Sequence, residues 1–225
     1  MKKDKILIKA EPEPITIELS KSAVIFVDMQ NAFVKKGGYF DLLGLLKEEV
    51  NNVIENCRIL LEIARKAKLK VFFLKMVIEK EREKNLTDTP FFIKSRGISF
   101  LRKYPHQVDK LYVKGHWGEK IIGELTPQEG EFVIEKQTYD GFIGTTLDLF
   151  LRNFDIKYLI FAGAFLNICI ETTLRHAFCL GYFPIVVIDT TVHVGDGFLK
   201  ESVHYTIKNY FGWITTLEDF KKVFE

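Results

Sequence analysis

The sequence predicts an α/β protein whose parallel sheet carries helices on both faces. Near-continuous apolar runs recur along the chain, a pattern typical of strands buried on both faces of a parallel sheet. Between these runs, apolar residues recur at three- and four-residue steps, as they do in amphipathic helices. Strands that alternate with helices in this way form parallel sheets through right-handed crossovers.

The apolar runs give the positions of the predicted strands. A short strand near the C-terminus, at GWITT, follows five longer ones: SAVIFVD (22–28), LKVFFLKM (69–76), EFVIEK (131–136), KYLIFAGA (157–164) and FPIVVID (183–189). The helical stretches fall between them. Helical periodicity predicts a first helix from Leu45 to Ala64, and later helices at 145–153, at 167–181 with Gly181 as the stop, at 197–209 and from 217.

Two segments lack a clear pattern. Residues 1–22 contain two prolines and are interpreted as an N-terminal arm. Residues 79–116 carry a charged run and two more prolines, which predicts a long excursion with a short helix near 98–103. Long loops inside compact domains are usually functional or disordered. With 225 residues, 47% of them hydrophobic, we expect one domain over 1–225.

The composition argues against several classes of partner. The 32 Lys+Arg and 30 Asp+Glu residues are interspersed and give a net charge of +2, which argues against nucleic acid and acidic membrane surfaces. No apolar run approaches the roughly 20 residues of a membrane span, and the N-terminus resembles no signal peptide. We therefore expect a cytoplasmic protein.

Three strands lead to reactive side chains. Asp28 ends the first strand, Lys136 ends the third and Cys169 follows the fourth. In open α/β sheets the ligand crevice lies beyond the carboxyl ends of the strands. An acid, an amine and a thiol at a common edge predict a nucleophilic site.

Cys169 has two interpretations. It falls in the first turn of a predicted helix with Asn167 as a plausible cap, where the helix dipole and free N–H groups favour a thiolate. The alternative is a small buried hydrophobe, the commoner role of a free cysteine. The other two cysteines, Cys57 and Cys179, fit this second interpretation, and the spacing of the three matches neither a disulfide framework nor a zinc site.

Asp28 and Lys136 also have alternatives. Asp28 follows a buried apolar run, where an unpaired carboxylate is costly, so it needs a partner such as a lysine and a thiol, or else it caps the following turn. A lysine at a strand end is ordinarily solvated. If its strand lies two places from that of Asp28, the axes are about 10 Å apart and Lys136 must lean inward.

The sequence predicts neither a metal site nor a cofactor. There is no glycine-rich phosphate loop. The five histidines form no ligand pattern and are interpreted as structural or surface residues: His106, His116, His176, His193 and His204.

Several motifs carry a family resemblance. VIFVDMQNAF (24–33), EKQTYDGFIGTTLD (135–148) and AGAFLNICIETTLRHAF (162–178), in this order, resemble the isochorismatase-like cysteine hydrolases. This superfamily includes nicotinamidases, N-carbamoylsarcosine amidohydrolases and ureidoacrylate amidohydrolases. The resemblance runs from about residue 20 to the C-terminus, and GGYFDL and KGHWGEKIIGEL look most like the ureidoacrylate branch.

The resemblance implies a fold and a site. It implies a three-layer α/β/α architecture with a six-stranded parallel sheet in the order 3-2-1-4-5-6, and homo-oligomeric assembly as a dimer or tetramer. Asp28, Lys136 and Cys169 match the catalytic residues of the family. It also implies a cis peptide between Ala164 and Phe165, which helps direct backbone N–H groups at an oxyanion.

The departures from the family pattern fall at the site. Phe165 and Leu166 stand where small or hydroxylic residues are common, which predicts a narrower pocket. KMVIEKE (75–81) replaces the amide and aromatic side chains that the ureidoacrylate branch uses to bind substrate, and it lacks the metal-binding Asp and His of nicotinamidases. Isochorismatases that cleave a vinyl ether lack the cysteine, so Cys169 indicates amide chemistry.

The function predicted on these grounds is a cysteine-dependent amidohydrolase that cleaves the C–N bond of a small amide, ureido or carbamoyl compound. Predicted substrate contacts are Tyr39, Tyr139, Phe142 and Leu166, with loop packing an equal alternative for Tyr139 and Phe142. One rival is a non-catalytic binding or assembly protein with a pocket narrowed by Phe165 and Leu166. Another is a hydrolase that acts on a larger substrate, such as a peptide end.

Overall fold

A computed structural model describes residues 4–79 and 89–224. The N-terminal arm contains a two-stranded antiparallel sheet of β1 (Lys5–Ile8) and β2 (Ile15–Glu18), which the sequence analysis missed. The alternation in ITIE buries Ile15 and Ile17 and exposes the residue between them, the period of a half-buried strand. Each strand has only four residues, so the pattern is too short to stand out.

The main sheet has six parallel strands. They are β3 (Ser22–Val27), β4 (Lys70–Met76), β5 (Phe132–Lys136), β6 (Tyr158–Ala164), β7 (Phe183–Val192) and β8 (Trp213–Thr215). Their order is β5-β4-β3-β6-β7-β8, which confirms the predicted order 3-2-1-4-5-6. The direction of winding reverses between β3 and β6, and ligands of open α/β sheets bind beyond the carboxyl ends at such a point.

The centre of the core is β3, whose six residues are all buried. Val27, its last residue, pairs with Leu74 of β4 and with Gly163 of β6. A Cβ atom on Gly163 would lie 2.3 Å from the carbonyl oxygen of Val27, and the φ of Gly163 is +114°. The close approach of the two backbones therefore requires glycine here.

Helices flank the sheet in a three-layer α/β/α arrangement, as predicted. Helix α3 packs against β3, β4, β6 and β7, and α9 packs against α3 and β7. The helices are α1 (Asn31–Val34), α2 (Tyr39–Leu42), α3 (Val50–Ala67), α4 (Pro90–Lys94), α5 (Gly97–Lys103), α6 (Leu147–Asn153), α7 (Glu171–Cys179), α8 (Gly197–Thr206) and α9 (Leu217–Lys222). None of them, within the ranges described, combines the length and apolar character of a bilayer-crossing segment.

Several helix boundaries differ from the prediction. Leu45 lies ahead of α3, which begins at Val50. The helix predicted at 167–181 is divided into a π-helical turn, Leu166–Ile170, and α7. The helix predicted at 197–209 likewise ends as α8 and continues as a second π-helical turn, Ile207–Phe211. Apolar periodicity does not distinguish a π turn from an α turn, so the sequence merged them.

The excursion from 79 to 116 contains α4 and α5, of which α5 confirms the short helix predicted near 98–103. Its charged run, and the end of KMVIEKE, lie at 80–88, outside the described residues. The rest packs over the carboxyl edge of the sheet. The backbone N–H of Ile78 donates to the carbonyl of Tyr112 (2.9 Å), and the Tyr104 hydroxyl donates to the carbonyl of Leu42 (3.0 Å).

Candidate active site

Asp28 and Lys136 form a buried ion pair. Asp28 follows β3 with a positive φ of 49°, and its backbone N–H donates to the carbonyl of Leu74 (2.9 Å). The Nζ of Lys136 lies 2.8 Å from Oδ2 of Asp28, and the two side chains are 0% and 1% exposed. Nζ also donates to the carbonyl of Thr138 (3.0 Å). The lysine therefore leans inward across the end of β4 instead of entering solvent.

The pair has perturbed proton affinities. Burial raises the pKa of Asp28, although the Lys136 cation and the Cys169 thiol oppose this effect. Burial alone would lower the pKa of Lys136, but the charge of Asp28 and the interaction with Cys169 outweigh it and hold that pKa above its usual range. Oδ1 of Asp28 is buried and has no hydrogen-bond partner of standard geometry among the described residues. This oxygen is available to take a proton.

Cys169 lies in the π-helical turn that follows β6 and is 4% exposed. Burial, and then the charge of Asp28, raise the pKa of the Cys169 thiol well above its usual range, while Lys136 opposes the shift. Burial therefore acts against the resting thiolate that the helix dipole was expected to favour, and a base is needed to remove the thiol proton.

Asn167 does not cap the helix, contrary to the sequence-based expectation. Its side-chain amide donates to the carbonyl of Val194 (2.8 Å) and accepts from the N–H of Val194 (2.9 Å). Instead, the carbonyl of Phe165 accepts from the N–H groups of Ile168 and Ile170, each at 3.1 Å. These two donors lie on either side of Cys169 in the chain.

The peptide bond between Ala164 and Phe165 is cis. The ring of Phe165 stacks on Phe40, with centroids 4.4 Å apart and an interplanar angle of 16°. It also meets the edge of Phe33 at 6.0 Å. Ala164 itself is fully buried at the end of β6. The large residue at 165 is thus accommodated by neighbouring aromatic rings.

A cavity of about 220 Å³ opens above Asp28 and Cys169. Tyr39 and Tyr139, two of the predicted substrate contacts, line it. The other two are not among its described lining residues: Leu166 is fully buried, and Phe142 packs against His176 and Tyr182, so a substrate contact at either stays a prediction. The remaining lining residues are Phe33, Phe40, Leu45, Met76, Phe91, Lys94, Ser95, Arg96, Tyr112, Phe165, Ile168 and Val194.

Gln30 is a positioning residue that the sequence analysis missed. Its amide Nε2 donates to the carbonyls of Met76 and Glu119, both at 2.8 Å, and its Oε1 accepts from the N–H of Met76 (2.7 Å). These bonds fix the end of β4 beside Asp28. The available signal was a polar residue two places after Asp28, where the buried apolar run of β3 has just ended.

The loop after β5 is tied to the segment that carries Cys169. Nδ1 of His176 lies 2.6 Å from Oδ2 of Asp140, whose Oδ1 accepts from the N–H of Phe142 (2.7 Å). The Thr173 hydroxyl accepts from the N–H of Gly141 (3.0 Å) and donates to the carbonyl of Cys169 (2.7 Å).

The other two cysteines lie away from the cavity. Cys57 is buried, and its thiol donates to the carbonyl of Thr190 (3.2 Å). Cys179 is exposed, contrary to the expectation of a small buried residue, because it lies at the end of α7.

Comparison with known proteins identifies related sequences over most of the chain. The isochorismatase domain matches residues 22–219. The ureidoacrylate amidohydrolase RutB of Agrobacterium fabrum is 37% identical over 214 residues, which cover 95% of this chain and 94% of that protein. The corresponding protein of Klebsiella variicola is 38% identical over 216 residues, which cover 96% and 92% of the two chains.

Solved structures agree with the fold. A cysteine hydrolase from Pseudomonas syringae has a TM-score of 0.76 at 25% identity and covers 99% of this chain and 97% of its own. An N-carbamoylsarcosine amidase from Thermoplasma acidophilum has a TM-score of 0.68 at 25% identity, with coverage of 88% and 97%. A parallel sheet with a thiol and a carboxylate–lysine pair at its switch point defines a three-layer α/β/α protein with a nucleophilic site. Within that class, the chain belongs to the isochorismatase family.

Proposed function

We propose that this protein is a cysteine-dependent amidohydrolase that cleaves the C–N bond of a small linear amide, ureido or carbamoyl compound. The observation that carries the proposal is the buried ion pair of Lys136 with Asp28 beside the Cys169 thiol, at a cavity that Asp28 and Cys169 both line. Similarity to the ureidoacrylate amidohydrolases and to the N-carbamoylsarcosine amidase supports hydrolysis at carbon–nitrogen bonds in linear amides.

Acylation starts with proton transfer. Asp28 takes the proton of the Cys169 thiol, and the sulfur attacks the carbonyl carbon of the substrate. The C–N bond then breaks, Asp28 returns its proton to the leaving nitrogen, and an acyl or carbamoyl thioester remains on Cys169. Lys136 keeps Asp28 ionised between these steps, since a buried carboxylate without a cation would hold its proton.

Deacylation reuses the same carboxylate. Asp28 takes a proton from water, the hydroxide attacks the thioester carbon, and the C–S bond breaks. The thiolate that leaves is reprotonated by Asp28, which restores the starting state. Burial raises the pKa of Asp28 toward the pKa values of the thiol, the leaving nitrogen and water. The same carboxylate can therefore exchange protons in both halves of the reaction.

The developing oxyanion requires donors. In the proposed mechanism, backbone N–H groups of Cys169 and Phe165 serve this purpose. The arrangement of the turn supports a role for Cys169, because the carbonyl of Phe165, the regular α-helical acceptor for that N–H, is already shared by Ile168 and Ile170.

The size of the cavity supports a small substrate. A cavity of about 220 Å³ suits a small molecule better than it suits the end of a peptide. Phe165 forms part of the cavity wall without filling the cavity, which argues against the rival of a protein whose pocket has been lost. Homo-oligomeric assembly, a cytoplasmic location and independence of metals and cofactors stay predictions.

The proposal is tested by a hydrolysis panel read by ammonia release. The panel contains 3-ureidoacrylate, N-carbamoyl amino acids, biuret and nicotinamide. We expect turnover of a ureido or carbamoyl compound by the wild type, its loss in Cys169→Ala, and wild-type activity in the control Cys179→Ala, whose thiol is exposed and remote from the cavity. Equal turnover by Cys169→Ala, or no turnover of any compound by the wild type, would refute the proposal.

A further inference from the structure

The cavity has an uncompensated positive charge. Of its ionisable lining residues, Asp28 is neutralised by Lys136, and the raised pKa of Cys169 keeps its thiol uncharged at rest. Two lining residues remain charged, Lys94 and Arg96, and both are cationic and exposed. Neither of them has an ion-pair partner among residues 4–79 and 89–224. Among the described lining residues, the cavity therefore presents a ligand with positive charge only.

Arg96 lines the cavity close enough to Tyr39 for its charge to act there. Its charge acts on the hydroxyl of Tyr39, opposing the rise that burial causes in the pKa of that group. The same hydroxyl donates to the backbone carbonyl of Ser95, the residue before Arg96, which ties the backbone at this point to the wall of the cavity. Attraction to an anion is strongest where one side of the cation is shielded from water.

The backbone does not explain why position 96 is an arginine. Arg96 lies between α4 and α5 with φ 63° and ψ 9°, a left-handed conformation that glycine and asparagine adopt most readily. A long cationic side chain gains nothing from this conformation. Its presence is explained if the side chain itself has a task at the cavity.

We propose that Arg96, with Lys94 beside it, binds a carboxylate of the substrate and so determines specificity. A planar guanidinium can donate two parallel hydrogen bonds to a carboxylate, which fixes orientation as well as affinity. When Arg96 binds the carboxylate of a short substrate, the other end of that substrate extends toward Cys169. The substrates are then anionic ureido or amide compounds with the carboxylate remote from the scissile carbonyl. This inference rests on the proposed function.

The test compares 3-ureidoacrylate with its methyl ester, which has the same scissile group and no negative charge. For Arg96→Gln we expect the KM of the acid to rise about tenfold or more, as a charged hydrogen bond predicts. Its kcat and the kinetics of the ester should stay near wild type, and Arg96→Lys should recover part of the loss. The control is Arg102→Gln, an exposed arginine of α5 outside the cavity. Equal effects of Arg96→Gln on acid and ester, or none on either, would overturn the inference.

A binding measurement separates this inference from the proposed function. Calorimetry on Cys169→Ala measures the affinity for 3-ureidoacrylate without turnover, and Cys169→Ala/Arg96→Gln gives the contribution of Arg96. Weaker binding by the double variant supports the inference even if the wild type hydrolyses nothing. Unchanged binding by the double variant, with turnover by the wild type, overturns the inference and leaves the function intact.

Discussion

The Nζ of Lys136 lies 2.8 Å from Oδ2 of Asp28, although β4 separates their two strands in the sheet. Adjacent strand axes are ~4.8 Å apart, so the lysine bridges a separation of about 10 Å between β5 and β3. Both side chains are removed from water, which makes the pair expensive to maintain and sensitive to the loss of either partner.

Lys136→Met should destabilise the protein and remove most of its activity. Removal of the cation leaves Asp28 buried without a counter-charge, which costs about 3 kcal/mol in the free energy of unfolding. Adding Asp28→Asn should recover part of that stability but none of the activity, since no buried charge then remains unpaired. Urea unfolding and ammonia release measure the two effects.

The matched control for this prediction is Lys114→Met. Lys114 is 44% exposed and pairs with Glu79 and Glu135, so its loss should cost less than about 1 kcal/mol. If Lys136→Met lost no more unfolding free energy than Lys114→Met, the buried ion pair would not be needed to neutralise Asp28.

The pH profile of kcat/KM should follow the ionisation of Asp28. The base must be ionised to act, and burial raises its pKa, so activity should rise with pH through a value above the ordinary aspartate pKa of about 3.9. Lys136 lowers the pKa of Asp28, and residual activity in Lys136→Met should therefore appear only at still higher pH. An acid limb at the ordinary aspartate value would contradict a buried base.

Gly163→Ala should damage both the fold and the site. The added Cβ would lie 2.3 Å from the carbonyl oxygen and 2.8 Å from the nitrogen of Val27, at a φ that L-residues avoid. Overpacking and backbone strain together predict a loss of about 2–4 kcal/mol in urea unfolding. Gly123→Ala is the control, because its Cβ would meet nothing within 4 Å. A loss no larger at Gly163 would disprove the close approach of β3 and β6.

Gln30→Glu should weaken the hydrogen bonds that hold the end of β4 beside Asp28. The carboxylate cannot donate, so the carbonyls of Met76 and Glu119 both lose a buried hydrogen bond. We expect a loss of about 2–4 kcal/mol in unfolding free energy and reduced kcat/KM. Gln128→Glu, the same change at an exposed position, should be near neutral. Wild-type stability in Gln30→Glu would show that the amide does not hold the strand end.

The sequence predicted the sheet and the meeting of three reactive side chains at its edge, because both follow from strand order. Asp28 and Lys136 lie at the ends of strands. Parallel strands bring their carboxyl ends to one edge of the sheet, whatever the conformation of the connecting loops. Gln30 was missed because its role depends on backbone groups of distant loops. Arg96 was missed because it comes from a segment without periodicity. The protonated state of Cys169 depends on burial, which a linear sequence does not give.

The most direct test of the central proposal, that Cys169 is the nucleophile, is to trap the covalent intermediate. The enzyme is mixed with 3-ureidoacrylate, quenched in acid within the first turnover and analysed by peptide mass spectrometry. We predict a carbamoyl group on the peptide that contains Cys169, with Cys57 and Cys179 unmodified. Turnover without any modification of Cys169, or turnover that persists in Cys169→Ala, would contradict the proposal.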